Sequence, residues 1–95
     1  MRDYELTVIF SPEVSDDDMP SAVDKVSRFI AQKGGVVAEV NQWGKRRLAY
    51  PIGRFIEGNY VFSRVQMEPQ SIVDLEASLQ LSESVLRYLV VKREE

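Results

Sequence analysis

Apolar and polar residues alternate from the start of the chain. Tyr4, Leu6, Val8 and Phe10 fall on one side of an extended segment, and Asp3, Glu5 and Thr7 on the other. That period predicts a strand over 2–10 with one buried face. Ile9 interrupts the alternation, as expected where part of the second face is also covered. After Ser11-Pro12 the period lengthens, and Ala22, Val23, Val26, Phe29 and Ile30 recur at helical spacing. Ser15 is a candidate N-cap for this helix, with Asp16, Asp17 and Asp18 in its first turn, where carboxylates complement the positive end of the helix dipole. A cation site on the three aspartates is the weaker reading. Pro20 fits only near the first turn, which allows a later start with Asp18 as cap. Lys33 and Gly34-Gly35 stop the helix.

The extended pattern returns over 36–43. Gly44 then suggests a bulge, the triplet Lys45-Arg46-Arg47 follows, and 48–52 resume the strand. Pro51 cannot donate to a ladder, which assigns this strand to an edge. Residues 53–58 read as a loop. A third strand covers 59–67, with Val61, Ser63, Val65 and Met67 on one face and Tyr60, Phe62, Arg64 and Gln66 on the other. Pro69 opens a second helix whose buried stripe is Ile72, Leu75 and Leu79. The last strand spans 85–92, with Leu86, Tyr88 and Val90 alternating against Arg87, Leu89 and Val91. The order βαββαβ predicts an α+β, ferredoxin-like sandwich. It has one four-stranded antiparallel sheet, strand order 4-1-3-2, with both helices on one face.

Ninety-five residues suit one domain spanning 1–95. No apolar run approaches the roughly 20 residues that span a bilayer, and Asp3 and Glu5 stand where a signal peptide would be basic and then apolar. The absence of cysteine removes disulfides, thiolate metal ligands and thiol nucleophiles, and suits a cytosolic protein. Histidine is absent too, which removes the commonest general base. With no phosphate-cradling loop, nucleophile motif or spaced carboxylate pair, no catalytic residue, cofactor or metal ligand is assigned.

The net charge of −3 is unusual for a nucleic-acid binder, so any affinity for RNA must come from a local patch. Up to Trp43 the chain is acid-rich; from Gly44 onward basic residues catch up. On an edge strand, Lys45, Arg46 and Arg47 guard against wrong pairing, or dock a specific partner or phosphates; the two roles are compatible. The helix-free face of the sheet carries Asp3, Glu5, Thr7, Phe62, Arg64 and Arg87. Rings beside arginines suit RNA, though Phe62 could equally be a cover for the sheet and Arg64 a structural residue.

Four segments carry a resemblance: Met1-Arg2-Asp3-Tyr4-Glu5, Lys45-Arg46-Arg47-Leu48-Ala49-Tyr50-Pro51-Ile52, Gly58-Asn59-Tyr60, and Val85-Leu86-Arg87-Tyr88-Leu89-Val90-Val91-Lys92. In this order and spacing the chain resembles the bacterial small-subunit ribosomal protein S6 family over essentially its whole length. The resemblance implies the ferredoxin-like fold, a place in the cytoplasmic ribosome, and no cofactor or catalytic role. It also implies binding to small-subunit ribosomal RNA as a heterodimer with ribosomal protein S18. Arg46 and Arg47 fall where the family's second strand meets that partner, which makes Lys45, Arg46, Arg47 and Tyr50 the expected protein-docking residues. Arg2 and Arg87 match RNA-contact positions; with Arg64 and Lys92 they are the expected RNA-binding set. The chain stops at Glu95, short of the tail some members carry, and Glu94-Glu95 would repel phosphate. Two other classes compete on this fold: a small-molecule-binding regulatory domain and a small enzyme.

Overall fold

The computed structural model of the chain describes residues 1–93; the carboxylates of Glu94 and Glu95, expected to oppose phosphate, lie outside the described residues. Its elements are β1 (Arg2–Phe10), α1 (Met19–Gln32), β2 (Val36–Ile52), β3 (Phe55–Met67), α2 (Pro69–Leu81) and β4 (Val85–Lys92). β1 lies between β3 and β4 and is antiparallel to both. β2 pairs with β3, giving the order β2-β3-β1-β4. This is the predicted order read from the opposite edge.

The alternation in β1 decides which face is buried. Tyr4, Leu6, Val8 and Phe10 stand opposite Val65, Ser63, Val61 and Asn59 of β3. All eight are buried, and the helices cover them with Ile30, Leu75 and Leu79. Full burial of one such aliphatic side chain contributes about 1.5–3 kcal/mol, so this face supplies most of the drive to fold.

α1 begins later than a Ser15 cap would place it. Asp16, Asp17 and Asp18 form a turn ahead of the helix, not its first turn. Ser15 closes that turn: its Oγ accepts the Asp18 N–H at 3.3 Å and its carbonyl accepts the Met19 N–H at 3.0 Å. Asp18 is the cap by position, yet its side chain makes no capping hydrogen bond. Its backbone is already near-helical (φ −92°, ψ −13°) and not extended as in a capping residue, and Pro20 in the first turn offers no N–H to accept. At the other end the Gly34 N–H bonds Ala31 O and the Gly35 N–H bonds Ile30 O, a Schellman closure. It requires the left-handed φ of 79° that Gly34 adopts.

The expected loop over 53–58 is also corrected. Only Gly53 and Arg54 turn the chain, and β3 starts at Phe55. Gly58 therefore sits inside a strand, for a packing reason: a Cβ there would stand 2.5 Å from Ile9 Cγ2 and 3.1 Å from the Phe10 carbonyl. The register of β2 shifts at three places: between Val37 and Glu39, at the expected place between Gln42 and Gly44, and between Arg47 and Ile52.

Candidate functional site

The register places Asp3, Glu5, Thr7, Phe62, Arg64 and Arg87 on the helix-free face, as expected. This face has two dissimilar ends.

At the hairpin end, Trp43 and Phe62 stack with ring centroids 5.8 Å apart and planes inclined by 7°. The Arg46 guanidinium lies 5.6 Å from the Trp43 ring. Arg87 lies 5.3 Å from the Tyr50 ring and donates to its hydroxyl at 3.0 Å. β2 and β4 are opposite edges of the sheet, so Tyr50 reaches Arg87 only because the end of β2 curls across β3 and β1. The curl carries Leu48 inward, where it is buried near Gly58 and Ile9. This explains the interrupted alternation at Ile9, whose side of β1 is covered by β2 itself.

At the other end the groups are charges. Arg64 pairs with Glu39 at 3.7 Å, and Glu5, opposite Arg64 on β1, meets Arg93 at 4.0 Å. Pairs this exposed contribute roughly 0–1 kcal/mol each, so they organise the surface more than they stabilise it. Arg2 and Lys92 are exposed at the same end of the sheet but, standing opposite the inward-facing Met67 and Tyr4, they point to its helix side.

The expected RNA-binding set is thus divided. Arg2, Arg64 and Lys92 share one end, whereas Arg87 stands about 16 Å further along β4 at strand rise and belongs with Tyr50. The basic triplet is divided as well. Arg46 stands opposite Gly58 on the helix-free face; Lys45 and Arg47, opposite Asn59 and Glu57, face the other way. Sequence reasoning missed the Trp43–Phe62 stack and Arg93. Trp43 was visible as a large ring beside the bulge glycine, but its partner was not.

The motif Gly58-Asn59-Tyr60 has a structural role in its first two residues. Asn59 is buried and donates to the carbonyls of Ser11 at 3.0 Å and Val14 at 3.4 Å, which fastens the β1–α1 connection to the hairpin. Arg54 adds an exposed bond to Glu13 at 2.9 Å.

Charge separates by layer. The two helices with their connections, residues 11–35 and 68–84, carry nine acidic and three basic residues. The sheet with its hairpin turn and Arg93 carries nine basic and four acidic residues. The overall acidity belongs to the helix layer, and the sheet layer is cationic. Among the described residues no cluster of His, Cys, Asp or Glu is placed to hold a metal ion, and no helix is long and apolar enough to cross a membrane.

The family model for ribosomal protein S6 matches residues 3–92. The chain belongs to the ribosomal protein S6 family. It is 41% identical over 95 residues to small ribosomal subunit protein bS6 of Dehalococcoides mccartyi, covering all of this chain and 87% of that protein. The bS6 protein of Heliobacterium modesticaldum is 35% identical, with 100% of this chain and 99% of that protein covered. In three dimensions the chain resembles the crystal structure of 30S ribosomal protein S6 from Thermotoga maritima. The TM-score is 0.91 at 27% identity, over 97% of this chain and 87% of that one. The C-terminal domain of the MgtC protein from Mycobacterium tuberculosis shares the fold alone, with a TM-score of 0.65 at 14% identity. As an S6-family chain, this is a structural protein of the small ribosomal subunit, working in the bacterial cytoplasm, and not an enzyme.

Proposed function

We propose that the chain binds small-subunit ribosomal RNA through the cationic sheet layer and pairs with ribosomal protein S18 along the curled end of β2. The observation that carries this reading is the separation of charge by layer, which gives an acidic protein a locally cationic side. Arg64 and Arg93 on the helix-free face, with Arg2 and Lys92 around the edge of the same end of the sheet, form the RNA-facing group. Lys45, Arg46, Arg47 and Tyr50 form the protein-docking group on an edge strand, where backbone groups are free to pair. Arg87, held by Tyr50, joins the two.

The test is binding of a central-domain ribosomal RNA fragment across a salt series, with and without S18. Replacing Arg64 and Lys92 by Ala lowers RNA affinity and reduces the salt slope by about one per phosphate contact removed. An unchanged slope would overturn their assignment. Reversing charge with Arg46→Glu and Arg47→Glu weakens association with S18 and leaves the circular dichroism spectrum intact. Unchanged S18 affinity rejects the docking role.

A further inference from the structure

The two helices do not close against each other. Between them runs a groove of about 630 Å³, floored by Phe10, Leu75 and Leu79 and walled by the half-buried Val26, Phe29 and Val85. That volume lies within the range of sites that bury a ligand's apolar side chains. The groove is on the far side of the sheet from Trp43, Arg64 and Arg87, and none of the residues assigned to RNA or S18 above lines it.

Its rim is acidic. Glu13, Asp18 and Glu83 border it, against a single cation, Lys25. Glu13 is engaged by Arg54. Among the described residues, Asp18 and Glu83 form no ion pair, and the surrounding helix layer has a threefold excess of acidic over basic residues. A trough with an apolar floor, edged by serines and by the unpaired carboxylates of Asp18 and Glu83, matches one kind of occupant. Apolar side chains at helical spacing would fill the floor, and flanking lysines or arginines would meet the rim.

We infer that the groove between α1 and α2 docks a cationic amphipathic segment of a second protein. It is a protein-docking surface on the face opposite the sheet, independent of the RNA-binding reading. Nucleic acid does not fit it, because the phosphates would meet the most acidic part of the molecule.

The experiment is amide chemical-shift mapping on the ¹⁵N-labelled full chain. The probe is a synthetic peptide of about four helical turns, with Leu on one face and Lys on the other. The expected shifts concentrate on the groove-lining residues of α1 and α2 and shrink as salt is raised. A peptide with Glu in place of every Lys leaves the spectrum unchanged. The pair Asp18→Lys and Glu83→Lys touches no hydrogen bond of the fold and weakens binding by about tenfold or more. Peptide shifts centred on the sheet, or equal affinity for the charge-reversed protein, overturn the proposal. So do groove shifts produced by a ribosomal RNA fragment and not by the peptide.

Discussion

Beneath the helices, Tyr4, Leu6, Val8 and Phe10 interlock with Val61, Val65 and Met67 in a continuous apolar layer. Across the same strands, the opposite face is held by scattered contacts: Leu48 near Ile9, Trp43 on Phe62, Tyr50 on Arg87, Arg64 beside Glu39. The difference shows how one sheet divides its duties. Apolar burial on the first face holds the fold with enough margin that the second keeps rings, guanidinium groups and carboxylates half in water, ready to exchange a local partner for a foreign one.

The sharpest way to break this contrast is to damage the buried face. Leu6→Ala removes a side chain that is 1% exposed at the centre of the layer, and unfolding in urea should show a loss of about 2–5 kcal/mol. Asn59→Ala removes the donor shared by the Ser11 and Val14 carbonyls and leaves Ser11 O only the Val14 N–H; the same assay should report about 1–3 kcal/mol for the two bonds lost. Equal costs for Leu6→Ala and Trp43→Ala would erase the distinction between the faces. Trp43, half exposed with one stacked neighbour, should cost only about 0.5–1.5 kcal/mol beyond its lost contact area. Smallest of all is Arg64→Ala. Its exposed pair with Glu39 contributes roughly 0–1 kcal/mol, so the urea midpoint should hardly move while RNA affinity falls.

Much of this architecture was legible in the sequence because periodicity reports burial directly. β1 and both helical stripes followed from spacing, the edge position of the second strand from Pro51, and the strand order from the ferredoxin-like topology that fits the order βαββαβ. Ile9 even flagged a covered patch on the second face. The misreadings arose where a residue's role depends on something distant in the chain. Gly58 looked like loop punctuation because a glycine needed for clearance against Ile9 is indistinguishable, in one dimension, from a glycine in a turn. Two starts were open for α1, and the later one, with Asp18 as cap, is the one that Pro20 imposes; the reading with Ser15 as cap put the aspartates one turn too far into the helix. At the candidate site, the residue types were recognised but not their grouping. Strand pleat separates Arg46 from its neighbours, and the curl of β2 brings Tyr50 to Arg87 across 37 residues. A run of three basic letters contains neither fact.

The layering of charge also bears on how an encounter begins. With acidic residues concentrated in the helices and basic residues in the sheet, the molecule has an electric dipole running from one layer to the other. A polyanion approaching from any direction turns it before contact, presenting the sheet and withdrawing the helices. Such steering raises the rate of productive collision more than the lifetime of the complex, and it fades as salt shortens the reach of the field to about 10 Å at 0.1 M. A protein with a net charge of the wrong sign can thereby arrive at RNA the right way round.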